Sequence, residues 1–567
     1  MSSVFQDSAS QQAVEPEPRA PRTTPLVAIG LDAVDPRLLQ RWLDQGLLPH
    51  LDALRRRGGF GLVNNVRYYR TETSWVTFLT GATPKNTGEW GHLRYDADDY
   101  RSNEGASYTF DRFPPFYAGL QDRRVAIFDA PLARPVSGVS GLQLMGWGTE
   151  TNQCLRTSEP KELMGAILDR YGSHPMFAEP ASRQESPDGE VLGYRIPSAY
   201  DVEGLRRLKS DLCAGARQRA LIMKDLMARE SRDLFLGVFS ETHTASHLLW
   251  HLSQPHPLRE MLTRKQEEDP LLAVFQAVDE GVGEVLTGVP DSSRVVVFSI
   301  YGIAANVLDL PSMLFLPELL YRWSFPGKVA LAQGCADRPP EEPGFDYLNH
   351  WKHEIWKLRT HTGALELEDP DEQEAAGDPL HWQPCNWYRP LWPRMTAFAL
   401  PTYSEGLIRL NVRGRDGAGV LEIDDFSATC DAICTLLHSL TDSRTGRPMV
   451  REIVRTRRTP FDANRDGPPA DLIVLWQEDT PTDSVDCPGL GRIGPVPHFR
   501  SGGHCSHGFY LTCGPDIHAG APLPDLQAPD LTATMLDWLG QTVPLHVEGR
   551  PLREILVSSG CSDREAE

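Results

Sequence analysis

Seven short apolar runs recur along the chain, at 26–31, 124–128, 142–145, 233–239, 294–299, 471–476 and 508–513. They are continuous rather than alternating, which predicts strands buried on both faces, as in a parallel sheet covered by helices. Amphipathic stretches lie between them. Residues 36–57 collect Leu38, Leu39, Trp42, Leu43 and Leu47 on one side and stop at Gly58-Gly59, and 202–229, 270–286 and 425–440 predict further helices. Strands alternating with helices predict an α/β fold, a three-layer sandwich around a mostly parallel central sheet. The periodicity fails over 325–395, which holds Pro339-Pro340, an acidic run at 366–374 and an aromatic segment at 382–392. This stretch predicts an inserted lid or cap region. The expected division is a disordered leader at 1–24, the first part of the core at 25–324, an insertion with a small mixed subdomain at 325–465, the closing part of the core at 466–556, and a disordered tail at 557–567.

Charge narrows the partners. Lys and Arg number 56 against 77 Asp and Glu, a formal net charge of −21 over 567 residues. So acidic a chain is a poor nucleic-acid binder, because phosphate contacts need clustered Lys and Arg. A small anionic substrate stays compatible, since a bound metal can reverse the local field. No apolar run approaches the roughly 18 residues of a membrane span, so no membrane partner is expected, and self-association is left open. The leader lacks the basic start and apolar middle of a secretory signal. Ten cysteines lie scattered without a CxxC pair, and together these features lead to an expected cytoplasmic location.

Four segments carry candidate chemistry. Asp32 directly follows the first apolar run, at the carboxyl edge of a sheet where open α/β folds bind ligands, although a turn or cap role competes. The segment 71–88 is dense in hydroxyls (Thr71, Thr73, Ser74, Thr77 and Thr80) and reads as a loop entering a helix, a place for an anion or a nucleophile. Its bland alternative is an N-cap ahead of core-facing Trp75, Phe78 and Leu79. In 240–251, His243 and His247 stand at i,i+4 and face the same way on a helix, the spacing of metal ligands, with His251 continuing that face and Glu241 at the strand end. Last, GGHCSHG at 502–508 places His504 and His507 in a glycine-bracketed loop, by itself more often only a turn.

Taken in order, these segments resemble the alkaline phosphatase superfamily, and within it the type I phosphodiesterase/nucleotide pyrophosphatase group. The matches are Gly30–Asp32, Thr71 with Thr80-Gly81-Ala82-Thr83-Pro84, His243–His247, Ser299–Gly302, Gly502–Gly508, and the closing stretch 530–549. The resemblance implies an alkaline phosphatase-like fold and a metal-assisted ester hydrolase whose two metals, usually zinc, activate a Thr or Ser nucleophile and stabilise phosphoryl oxygens. It carries Asp32 and Thr71 over as ligand and nucleophile, and His247 and His504 as ligands. Departures are pronounced. His243 stands where the family has Asp, and Ser299-Ile300-Tyr301-Gly302 stands where it has S-D-H-G. Ile300 cannot bind a metal and a Tyr301 phenol is a poor zinc ligand, so one of the two metal positions loses two of its four ligands. What remains is Asp32 with a three-His set, His243, His247 and His504, suited to a single catalytic zinc, with iron or another divalent metal as substitute.

The expectation is therefore a metal-dependent hydrolase or transferase acting on a phosphate, phosphonate or sulfate ester. Thr71 would be nucleophile or orienting hydroxyl, Asp32 ligand or general base, and Glu241 and Tyr301 further proton-handling candidates. Two alternatives stand beside it: a repurposed biosynthetic metalloenzyme using the same pocket, and a catalytically dead pseudo-hydrolase acting as a binding protein.

Overall fold

Every residue of the Leu26–Leu31 strand is buried, because parallel neighbours flank it on both sides: Leu234–Phe239 and Arg294–Ser299. The computed structural model describes residues 24–557, apart from 66–71, 92, 105–107, 121, 150–153, 187–188, 230–231, 262–268, 347–348, 361–366, 463–467 and 521–522. Thr71 thus lies outside the described residues, as do nearly all of the expected leader and tail.

The central sheet has nine strands, in the order Leu526–Gln527, Gly59–Asn64, His507–Cys513, Arg294–Ser299, Leu26–Leu31, Leu234–Phe239, Val125–Phe128, Gly141–Met145 and Thr157–Glu159. The five strands from Arg294–Ser299 to Gly141–Met145 run parallel. His507–Cys513 is antiparallel to both of its neighbours, so the sheet is mostly parallel with a reversed strand near one edge. Six of the seven apolar runs fall in this sheet, as the continuous-run pattern predicts.

Helices cover both faces, and two glycines show it. A Cβ at Gly30 would meet Val238 and Trp75, whereas one at Gly237 would meet Met223. Residues 237 and 238 are consecutive in one strand and point to opposite faces. Trp75, on the Glu72–Thr80 helix, therefore covers one face, and Met223, on the Val202–Arg229 helix, covers the other. The latter helix buries Leu205, Leu208, Leu212, Ala216, Met223 and Leu226 and packs on Pro270–Leu286 and Glu241–Ser253. This is the expected α/β sandwich. No helix among the described residues is long and apolar enough to cross a membrane.

Two local expectations are corrected. Residues 36–57 form two helices, Pro36–Asp44 and Pro49–Arg57. Gly46 turns the chain at φ +70 and Pro49, which lacks a donor N–H, starts the second helix. The run at 471–476 is also a strand, Leu472–Trp476, but in a different sheet, between Gly406–Leu410 and Val450–Arg455 with Ala397–Leu400 beyond. That four-stranded sheet belongs to a second buried core, drawn mainly from residues between 307 and 496 and thus wider than the 325–465 insertion. Within it the aperiodic stretch forms short helices, Trp351–Trp356, Pro370–Ala375 and Pro384–Trp387.

Candidate metal centre

The Leu234–Phe239 strand runs straight into the Glu241–Ser253 helix, which every residue from Glu241 to Leu252 spends buried. His243 and His247 project one helical turn apart near its start. The third imidazole comes from far along the chain. Gly502–Cys505 pairs antiparallel with Gly302–Ala305, setting His504 opposite Ile303, four residues past the end of the central Arg294–Ser299 strand. The three Nε2 atoms close a triangle 3.1 Å on each side. All three side chains are buried, and they form a group able to hold a metal ion.

The glycines around His504 have steric causes. A Cβ at Gly502 would lie 2.0 Å from the Ser246 carbonyl oxygen, and one at Gly503 would lie 2.8 Å from Asn306 Oδ1. Only a backbone without side chains approaches the helix so closely. The reward of that approach is a hydrogen bond: His247 Nδ1 is 2.8 Å from the Gly502 carbonyl oxygen. A carbonyl only accepts, so Nδ1 carries the proton and Nε2 presents its lone pair into the triangle. Tetrahedral ligation at about 2.0–2.1 Å separates ligand nitrogens by roughly 3.3 Å. Three imidazole nitrogens at 3.1 Å, one of them a fixed lone pair, therefore suit a borderline cation such as zinc in both chemistry and spacing.

The remaining candidates sit differently. Asp32 lies beside His243 but on its other nitrogen, with Oδ2 3.8 Å from Nδ1, while its Oδ1 accepts the Trp75 indole N–H at 2.9 Å. Asp32, expected as a ligand, is not among the three residues that form the metal-holding group, and its carboxylate faces Nδ1 of His243 rather than Nε2. Tyr301 packs edge-on, its ring centroid 6.3 Å from that of His243 and 5.5 Å from that of His504, and Ile300 is buried beside it. His251 leaves the triangle and pairs through Nδ1 with Ser501 Oγ at 2.7 Å.

Glu241, expected to handle protons, is committed elsewhere. Its Oε1 accepts from Arg219 Nε at 2.8 Å and from His174 Nε2 at 3.1 Å, all three side chains being inaccessible to solvent. Burial pushes the carboxyl up, but Arg219 and His174 outweigh it and hold Glu241 below the usual carboxylate range. Arg219 also bridges to Asp129 Oδ2 at 2.7 Å, which ties the start of the histidine helix to the neighbouring strand end.

Sequence reasoning passed over Arg500, whose Nη1 stands 3.1 Å from His247 Nε2, and Asp309, which holds Arg500 Nε at 2.8 Å. A charged residue four positions before His504, in the same polar loop, was the available signal. Trp75 read as core-facing, which it is, but its N–H is also the partner of Asp32.

The type I phosphodiesterase / nucleotide pyrophosphatase family model matches residues 26–347, more than half of the chain. The match contains Asp32, His243, His247 and Ile300-Tyr301, and ends before Arg500 and His504. No curated protein matches the chain. Among solved structures, phosphonoacetate hydrolase from Sinorhizobium meliloti 1021, in complex with phosphonoformate, is 13% identical with a TM-score of 0.47, over 92% of this chain and 97% of that one. Human ectonucleotide pyrophosphatase / phosphodiesterase 5 is 12% identical with a TM-score of 0.40, over 94% of this chain and 99% of that one. Likenesses this distant carry no argument about substrate. The chain belongs to the type I phosphodiesterase / nucleotide pyrophosphatase family of the alkaline phosphatase superfamily, and is a phosphodiesterase- or phosphatase-like hydrolase by that membership.

Proposed function

We propose that this protein hydrolyses a small phosphate, phosphonate or sulfate ester at a single-metal centre held by His243, His247 and His504. The observation that carries the reading is the 3.1 Å triangle of Nε2 atoms, with His247 fixed as a lone-pair donor by the Gly502 carbonyl. A single ion is favoured because buried Ile300 and Tyr301 offer no second ligand set. Zinc suits three imidazoles best, with iron or another divalent metal as the substitute. When bound, the metal supplies a Lewis acid for the ester's oxygens.

The protein's own groups divide the remaining work. Thr71 is the proposed nucleophile or orienting hydroxyl, on the strength of its position just ahead of the Glu72–Thr80 helix and its spacing from Thr80-Gly81. Asp32 acts through His243 rather than as a ligand: an anion beside Nδ1 raises the basicity of the ring and favours the orientation that aims Nε2 inward. Trp75 holds that carboxylate in place. Glu241 positions the helix and takes no proton from substrate.

The test is turnover of zinc-loaded protein on a panel of aryl phosphate monoesters and diesters, phosphonates and aryl sulfates, beside Thr71→Ala and His504→Ala. Hydrolysis of one ester class that both substitutions abolish is the expected result. Wild-type inactivity on the whole panel, or turnover that survives His504→Ala, overturns it.

A further inference from the structure

Arg500 precedes the strand that carries His504, and its guanidinium is held along one edge. Its Nε lies 2.8 Å from Asp309 Oδ2. Asp309 is nearly fully buried and is itself braced by Asn306 Nδ2 at 2.7 Å, while the same Asn306 amide reaches the Arg500 carbonyl at 3.2 Å. With that edge fixed, Nη1 sits 3.1 Å from His247 Nε2, at the mouth of the imidazole triangle. A guanidinium does not give up its charge near neutral pH. A metal held by that lone pair stands beside the guanidinium, so two positive charges lie close together. An anion placed between them is attracted to both.

We propose that Arg500 is an anion-binding residue of this centre, which takes a non-bridging oxygen of a tetrahedral phosphate-like group and supplies positive charge where Ile300 and Tyr301 leave no second metal. The proposal rests on the three-His metal reading. It has a thermodynamic consequence that a merely structural arginine lacks. Metal and anion binding are coupled, each tightening the other by the same factor, and Arg500 enlarges that factor. Asp309 is the positioning residue, since it fixes the fork that aims Nη1.

The experiment is calorimetric titration of the full-length protein with chelator-buffered zinc, with and without inorganic phosphate, followed by titration of the zinc-loaded protein with phosphate. In the wild type, phosphate tightens zinc binding. In Arg500→Gln, zinc without phosphate binds as tightly as in the wild type or several-fold tighter, phosphate binds to the zinc-loaded protein roughly 10- to 100-fold more weakly, the size of a lost charge-assisted hydrogen bond, and the coupling shrinks by a similar factor. Arg500→Lys keeps a charge opposite buried Asp309, guarding against misfolding, and recovers part of the phosphate affinity. Asp309→Asn weakens phosphate binding while leaving zinc binding intact. A wild type that binds zinc without any response to phosphate, or an Arg500→Gln protein with full phosphate affinity, overturns the role of Arg500 alone. A wild type that binds no zinc overturns the three-His reading and this proposal with it.

Discussion

Replacing Arg219 with Met distinguishes a structural Glu241 from a catalytic one. Arg219 is wholly buried and donates to Glu241 Oε1, to Asp129 Oδ2, and to the carbonyls of Val238 and Gly148 at 2.9 Å each. Asp129 also accepts the backbone N–H groups of Trp147 and Gly148. His174 Nδ1 accepts from the Met176 N–H, so the proton given to Glu241 sits on Nε2. The guanidinium therefore faces two carboxylates. Burial pulls the Arg219 pKa down, but Glu241 and Asp129 outweigh it, just as Arg219 keeps Glu241 ionised.

Met fills much of the volume and strands both carboxylates. Breaking a buried pair in this way costs about 3–5 kcal/mol. Glu241→Gln is milder: a charge-assisted bond becomes a neutral one, a loss of about 1–2 kcal/mol. The double variant loses less than the sum, because one stranded charge has gone. Guanidinium unfolding of the four proteins gives the cycle, with zinc content and turnover measured on each. Glu241 keeps its folded pKa below the unfolded value, so its contribution is full above the unfolded pKa and is lost as pH falls through the folded one. Wild type and Glu241→Gln should converge in stability under acid. A Glu241→Gln protein with an unchanged unfolding midpoint and unchanged zinc content, yet at least 100-fold slower, would refute the structural assignment.

Two further outcomes follow from the same neighbourhood. Burial, the largest effect at each, lowers His251 and His498 to about 4 and His256 to about 2, so the folded protein keeps all three neutral. The unfolded chain protonates first as pH drops below 6.5, and each histidine then erodes stability by up to about 1.4 kcal/mol per pH unit. Denaturation midpoints should fall steeply between pH 6.5 and 4, and His256→Phe should flatten that slope; an unchanged slope contradicts the assignment. Gly502→Ala forces a Cβ against the Ser246 carbonyl and pulls the Gly502 oxygen from His247. Zinc affinity should fall about 10- to 100-fold, and a protein that keeps full affinity shows that the close approach is dispensable.

The core strands were legible because a run such as 26–31, apolar at nearly every position, has nowhere to go but between two helical layers. Residues 471–476 have the same composition, yet which sheet takes them depends on pairing with Gly406–Leu410 and Val450–Arg455, which no local pattern encodes. His243 and His247 were readable from helical spacing. His504 was readable through the family resemblance, since its glycines alone suggest a turn; their cause is clearance to the Ser246 carbonyl and to Asn306, both far earlier in the chain. Arg500 and Asp309 meet across 191 positions, and Trp75 and Asp32 across 43. Their polar roles arise from the packing: a charge four positions before His504 marks Arg500, but nothing local names its partner. Glu241 misled for a related reason: a carboxylate at a strand end looks the same whether it faces the pocket or a buried arginine.

The central claim is one metal held by three histidines, and metal content of the purified, zinc-reconstituted chain tests it most directly. One tightly held zinc per chain in the wild type, lost from each of His243→Ala, His247→Ala and His504→Ala but kept by Asp32→Asn, is the predicted result. Two tightly held ions per chain, or none, would contradict it.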